Sequence, residues 1–171
     1  MNALFLSIRA LHVLCAALWL GSVTLLAFFV MPSIERMGAD GGKVMSNLQR
    51  AGLNAFMGAI AGLTILSGIY LYWHLTSGFD PTISATTEAK VFGFGGLLGL
   101  IAGILGGSVV GRSARTLDAT AATLATTTDG ATRTQLLADM QRLRGRIRTG
   151  GNIVIVLLVV TVILMAIGHY L

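Results

Sequence analysis

Four long apolar segments constrain the fold of this chain more than any other feature of its sequence. They run over about 10–31, 54–73, 91–111 and 152–170. A helix of about 20 largely apolar residues is long enough to cross the hydrocarbon core of a bilayer. Only 11% of the residues are charged, against about 25% in ordinary globular domains. The sequence therefore predicts an all-α integral membrane four-helix bundle in a lipid bilayer, with residues 1–171 as a single transmembrane domain.

Basic residues in the connections predict how these four helices, numbered 1 to 4 along the chain, are oriented. Lys90 is the only Lys or Arg in the second connection, whereas the first connection has three and the third has seven. Lys and Arg are retained on the cytoplasmic side, so the prediction is N-out and C-out, in a bacterial inner membrane. The net charge of +5 then follows from topology, and no nucleic-acid partner is predicted. The basic residues of the first connection are Arg36, Lys43 and Arg50, and those of the third are Arg112, Arg115, Arg133, Arg142, Arg144, Arg146 and Arg148.

The third connection, 112–148, has the pattern of a cytoplasmic helical hairpin between helices 3 and 4. Apolar residues recur at spacings of three and four on both sides of Asp129-Gly130, a pair typical of turns. Helices 3 and 4 are therefore expected to continue beyond the membrane and pack against each other. The alternative to this self-packing is that the hairpin docks a partner. The apolar positions are Leu117, Ala121, Leu124, Leu136, Met140, Leu143 and Ile147.

Helix 3 carries a glycine at every fourth position, which we call the glycine ladder. Glycines at this spacing allow a second helix to approach closely. They predict tight packing inside the bundle or a homodimer through Gly95, Gly99, Gly103 and Gly107. A further interpretation is that a flat cofactor lies against the outer part of this face, where no side chain would collide with it.

The three histidines are all predicted to lie at the outer end of the bundle. His12 lies inside helix 1, while His74 and His169 lie at the outer ends of helices 2 and 4. Ionisable residues within a span are costly and mark functional sites. Imidazole is a common ligand of transition metals and of heme iron. The outer half is therefore predicted to hold a cofactor, with His12 as the first candidate, His169 as the second, and His74 either a ligand or merely interfacial.

Heme b is the cofactor that this set suits best. His12 would be one axial ligand, His169 or His74 the other, and Arg9 and Lys90 would neutralise the propionates. An electron-transfer or oxidoreductase role with a redox partner at the outer face would follow. Copper is the main alternative, and a structural or assembly subunit without cofactor is the third. No catalytic residue is assigned, because the sequence has no nucleophile elbow, phosphate loop or paired carboxylates. The copper set is His12, His74, His169, Cys15 and Met165.

Parts of helices 1 to 3 resemble a known superfamily. In residues 11–32, His12 precedes Trp19 by two turns, Gly21 follows, and Pro32 ends the apolar segment. This pattern resembles the first helix of the CopD-like superfamily, which includes the copper-resistance protein D family and HemJ-type protoporphyrinogen oxidases. Two further segments are similar to the second helix and to the start of the third, namely 63–70 (LTILSGIY) and 88–91 (EAKV).

The resemblance implies a heme or metal ligand at His12 and a functional cation at Lys90. In HemJ-type proteins these positions imply heme binding and porphyrinogen oxidation. In copper-resistance proteins they imply movement of copper through the inner membrane. The chain departs from the HemJ pattern, since its proline lies well beyond the tryptophan, and it lacks the extra helices of larger copper-resistance proteins. It is most similar to the four-helix members of unknown function.

Overall fold

The computed structural model describes residues 3–171, apart from the side chain of residue 39. Within these residues the chain is all-helical and has no strand. Four helices are long and apolar enough to cross a membrane, which confirms the prediction of four spans. They are helix 1 (Ala3–Arg36), helix 2 (Leu53–Leu75), helix 3 (Thr87–Thr126) and helix 4 (Gly130–Tyr170).

Three of these helices contain a local change of helical type. Helix 1 consists of Ala3–Leu25, a π-helical segment Leu26–Val30, and Met31–Arg36. Helix 3 consists of Thr87–Leu105, a π-helical segment Gly106–Gly111, and Arg112–Thr126. Helix 4 is α-helical over Gly130–Ile167 and ends in a 3-10 turn, Gly168–Tyr170. Two shorter helices, Ala39–Arg50 and Pro81–Ser84, lie in the first and second connections.

Helix 1 continues past Pro32, whereas the sequence predicted that the segment ends there. Proline cannot donate a backbone hydrogen bond, and its ring collides with the carbonyl four residues earlier in a regular α-helix. The π-helical segment Leu26–Val30 lies immediately before the proline, and the N–H of Met31 bonds to the carbonyl of Leu26. This wider turn shifts the hydrogen-bonding register ahead of Pro32. The helix therefore accommodates the proline and runs on to Arg36.

Helices 3 and 4 are longer than a bilayer requires. At 1.5 Å per residue each is about 60 Å long, twice the thickness of the hydrocarbon core. Their extensions, Arg112–Thr126 and the first half of helix 4, pack against each other. Asp129 begins helix 4 by accepting a hydrogen bond of 2.8 Å from the backbone N–H of Thr132. The two extensions therefore pack as a pair of helices, and their position on the cytoplasmic side stays a prediction.

One buried cluster draws on all four long helices. Trp19, Ile60, Ala102 and Leu158 belong to it, and Trp19 and Ala102 are 4% and 0% exposed. Large apolar side chains remain exposed on the outward faces of the same helices. Such faces are unfavourable in water but suit hydrocarbon, where helices associate through close packing. The structure is that of a membrane bundle with a small packed interior.

Helices 1 and 2 are antiparallel and meet at seven-residue intervals along what we call the 1–2 seam. The rings of Phe5 and His74 are 4.6 Å apart, and His12 bonds to Ser67 two turns further in. Another two turns in, Trp19 and Ile60 share the buried cluster. A repeat of seven residues is typical of left-handed helix pairs. The register of this pair therefore fixes which residues of helix 2 meet His12.

The glycine ladder is used largely inside the chain. A Cβ on Gly95 would lie 3.1 Å from the Met165 methyl, and one on Gly99 would lie 3.6 Å from the Thr161 methyl. A Cβ on Gly103 would lie 2.7 Å from Ile65. Helix 4 therefore fills the outer part of this face, where the sequence had suggested a flat cofactor. Gly107 has open space around it, and the homodimer stays a prediction.

Replacing Gly95 with Leu should lower the free energy of unfolding in detergent by about 2 kcal/mol, because helix 4 leaves no room for a side chain. Gly96→Leu is the matched control, since nothing lies within 4 Å of a Cβ at that position. Thermal unfolding followed by circular dichroism measures both variants. Equal stability of the two would show that the ladder does not pack as described.

Asp129 should make the stability of the hairpin depend on pH. Hydrogen bonds from Thr132, from its side chain first and then its backbone N–H, lower the pKa of the Asp129 carboxyl. A lowered folded-state pKa stabilises the helix above the ordinary value of about 4, and this contribution is lost as pH falls below it. Amide protection factors at 130–134, corrected for the intrinsic pH dependence of exchange, should therefore fall below pH 4 in the wild type.

Asp129→Ala should show this low protection already at neutral pH. Asp139→Ala is the control, because within the described residues Asp139 caps no helix and its one basic partner is Arg142 at 3.9 Å. Protection at 130–134 that is unchanged in Asp129→Ala would contradict the assignment of the cap.

Candidate functional site

His12 lies on the 1–2 seam with its ring over the backbone of helix 2. Its Nδ1 atom is 2.9 Å from the carbonyl oxygen of Thr64 and 3.1 Å from Oγ of Ser67. A Cβ on Gly68 would lie 2.9 Å from Cε1 of the imidazole. A side chain at position 68 would therefore displace the ring, and glycine there allows the imidazole to lie against the helix.

These partners fix the tautomer of His12. A carbonyl oxygen can only accept, so Nδ1 must carry the proton that it donates to Thr64. Ser67 Oγ donates its own hydrogen to the carbonyl of Leu63, so it too accepts from Nδ1. The other ring nitrogen, Nε2, then bears the lone pair. This is the form in which a histidine binds a metal while a backbone carbonyl orients its ring.

Nε2 of His12 is accessible from outside the chain. It makes no hydrogen bond within residues 3–171, whereas Nδ1 makes two. The one fully buried side-chain polar atom that lacks a partner in the described part of the chain is Oε1 of Gln49. Nε2 is therefore not fully enclosed by protein atoms. Its lone pair is unused, so this nitrogen can bind a group from outside the chain.

His169 has a different environment, because both of its ring nitrogens are engaged. Nε2 is 3.1 Å from Nη2 of Arg9, and Nδ1 is 2.9 Å from Oε1 of Glu88. A guanidinium can only donate, so Nε2 accepts from Arg9 and Nδ1–H donates to Glu88. Phe92 packs edge-on against the ring at 5.0 Å. His169 thus connects helices 1, 3 and 4, and its lone pair is already used.

His74 lies at the outer end of the 1–2 seam between aromatic rings. Its ring is 4.6 Å from that of Phe5 and 6.4 Å from that of Tyr70. The residue is exposed, and within the described residues neither of its nitrogens forms a hydrogen bond. It lies two turns further out than His12, about 10 Å along the helix axis.

The remaining predicted ligands and cations are dispersed. Cys15 is buried, and the Met165 methyl points at Gly95 on helix 3. Lys90 is exposed, and its side chain has no partner in the described part of the chain. Among residues 3–171, no three His, Cys, Asp or Glu side chains form a group that could hold a metal ion. The structure therefore places most of the predicted site residues in separate environments, and within the described residues Arg9 and His169 are the only two of them joined by a hydrogen bond.

Comparison of the chain with protein-family models, curated proteins and solved structures finds no match. The similarity of helices 1 to 3 to the CopD-like superfamily therefore stays a prediction. Function has to be argued from the chemistry of the site.

The sequence did not indicate the residues that orient His12 and His169. Thr64, Ser67 and Gly68 were noted only for their resemblance to a family pattern, and Glu88 only as the start of helix 3. The seven-residue spacing was a usable signal: 5, 12 and 19 on helix 1 pair with 74, 67 and 60 on helix 2. Aligning the two series antiparallel brings His12 opposite Ser67.

Removing the acceptor for His169 should loosen the end of helix 4. In Glu88→Ala, amide exchange at 167–171 should rise by about three- to fivefold, since a partly exposed pair contributes up to about 1 kcal/mol. Lys90→Ala on the same helix is the control, because it leaves the contact intact. Hydrogen exchange measured by mass spectrometry resolves this segment. Exchange that does not change in Glu88→Ala would show that the contact does not hold the turn.

Proposed function

We propose that this protein binds heme b through His12 in the outer half of a four-helix membrane bundle and has an electron-transfer or oxidoreductase role. The observation that carries the proposal is the state of His12. Its Nδ1–H donates to the carbonyl of Thr64, and its Nε2 is bare and accessible. An imidazole held by a backbone carbonyl and presenting Nε2 is the usual form of an axial heme ligand.

The residues around His12 fit the needs of a heme. A porphyrin needs an apolar surrounding, and the outward faces of helices 1 and 2 supply exposed apolar side chains such as Leu11 and Ile69. It also needs cations near the membrane surface for its propionates. Lys90 is a cation without a side-chain partner in the described residues and suits that role, whereas Arg9 is engaged with His169.

We favour His74 over His169 as the second axial ligand of the heme. His74 lies on the 1–2 seam with His12, and its nitrogens form no hydrogen bonds in the described part of the chain. His169 could bind iron only after Nε2 had left Arg9. When bound, heme would supply one-electron chemistry at its iron. The chain would hold the ring of His12, fix its tautomer and exclude water from the inner side.

The proposed orientation places this site at the outer surface of a bacterial inner membrane. Ten basic residues lie in the first and third connections, and one lies in the second. Retention of Lys and Arg in the cytoplasm then puts both ends of the chain outside and the hairpin 112–148 inside. A redox partner would approach from the outer face.

The visible spectrum of the protein loaded with hemin tests the proposal. The wild type should show a Soret band with about one heme per chain. His12→Ala should abolish this band or weaken binding by more than tenfold, because the ligand is lost. His74→Ala should retain heme with a shifted band. His169→Ala is the matched control and should leave the spectrum unchanged.

Three outcomes would contradict the proposal. A His12→Ala variant that keeps the wild-type spectrum would show that another residue holds the heme. A colourless wild type that carries stoichiometric copper would favour copper binding through the same residues instead. A wild type that binds neither heme nor copper would favour the third alternative, in which the protein is a structural or assembly subunit without a cofactor.

A further inference from the structure

An open groove lies between helices 3 and 4 at the end of the bundle opposite the histidines. Its volume is about 820 Å³. A second opening of about 500 Å³ joins it and shares four of its lining residues. The shared residues are Val109, Thr116, Leu143 and Arg146. The two openings are therefore adjacent along the junction of the span with the hairpin, and we refer to them together as the groove.

The chemistry of the groove changes along its length. Leu105 and Ile153 line the end nearest the membrane centre, whereas Arg112 and Arg146 line the middle. Asp139 is the single acidic residue in the lining, and it lies 3.9 Å from Arg142. Within the described residues neither Arg112 nor Arg146 forms an ion pair. The groove is thus apolar at its inner end and carries uncompensated positive charge beyond it.

The arginines are the charged donors of the groove. The hydroxyls of Thr116 and Thr120 already donate to backbone carbonyls one turn earlier. A guanidinium binds phosphate oxygens through paired, charge-assisted hydrogen bonds. The groove is therefore suited to a phosphate group rather than to a neutral polar one.

Irregular helix and glycine contribute to the lining of the groove. The π-helical segment Gly106–Gly111 forms part of one wall, and such segments are frequent at functional sites. On the other wall, Gly145 has no atom within 4 Å of where a Cβ would lie. From Leu105 to Arg112 the wall is about 10 Å long. It can therefore accommodate part of an acyl chain, since the hydrocarbon part of one leaflet is about 15 Å thick.

We propose that this groove binds an anionic phospholipid, with an acyl chain along Leu105 and Ile153 and the phosphate between Arg112 and Arg146. The apolar-to-basic order of the lining matches the order of tail and headgroup in a lipid. The cytoplasmic leaflet, where the orientation proposed above places this end, is rich in anionic lipids. The site is separate from His12 and does not depend on heme binding.

Native mass spectrometry of the full-length protein in detergent tests the site, with phosphatidylglycerol and phosphatidylcholine of matched acyl chains as probes. The wild type should retain phosphatidylglycerol at least fivefold better than phosphatidylcholine. The double variant Arg112→Gln/Arg146→Gln should lose phosphatidylglycerol by about tenfold or more. Arg115→Gln/Arg148→Gln is the matched control, because it removes two charges from the same helices outside the lining, and should retain the lipid.

A second variant tests the apolar part of the site. Gly145→Leu places a side chain in the groove without altering any charge, and leucine favours helix more than glycine does. It should lose phosphatidylglycerol although both arginines remain. Soluble glycerol phosphate should not displace the lipid, because it lacks the acyl chain. Thermal unfolding of each variant checks that the fold is retained.

Several results would overturn the proposal. Equal retention of the two lipids would show that the groove does not select anionic lipid. If the two arginine double variants lost phosphatidylglycerol equally, binding would be due to general attraction of the lipid by basic residues and not to this groove. Displacement by glycerol phosphate at the same concentration would assign the site to a free phosphate compound. Retention in Gly145→Leu would place the lipid elsewhere.

Discussion

The hydrogen bond from His12 to the carbonyl of Thr64 is the interaction on which the proposed site depends. Within hydrocarbon a polar group without a partner is costly, so an imidazole in a span must be paired. Pairing through Nδ1 orients the ring and leaves Nε2 bare at an accessible surface. The bond requires the register of the 1–2 seam and the absence of a side chain at Gly68. Packing of two apolar helices thus determines the chemistry of one residue.

The contact between helices 3 and 4 combines close approach at glycines with a few hydrogen bonds. Helix 4 packs on Gly95 and Gly99, and Thr161 donates to the carbonyl of Gly95 at 3.2 Å. Near the opposite end helix 4 still packs on the π-helical segment Gly106–Gly111, where a Cβ on Gly150 would lie 3.0 Å from Val110, and the groove opens beside this contact. One helix pair therefore provides tight packing at the histidine end and an open, basic surface at the other.

The architecture could be predicted from the sequence because the length and hydropathy of membrane spans are set by the bilayer. The continuation of helix 1 through Pro32 could not, since it depends on a local change of hydrogen-bonding register. The choice of His12 as the first ligand candidate stays a prediction, and its pairing on helix 2 could not be predicted because it depends on the register of two helices. The pairing of His169 with Arg9 and Glu88 was not foreseen, because it joins three helices whose relative rotation no single segment encodes.

The central claim is that His12 presents a bare Nε2, and ¹⁵N NMR of histidine-labelled protein in detergent measures this most directly. In the heme-free protein the account predicts that Nδ1 of His12 carries the proton and Nε2 does not. Addition of hemin should then perturb the Nε2 resonance of His12 and leave that of His169 in place. A proton on Nε2 of His12, or a resonance that hemin does not affect, would contradict the account.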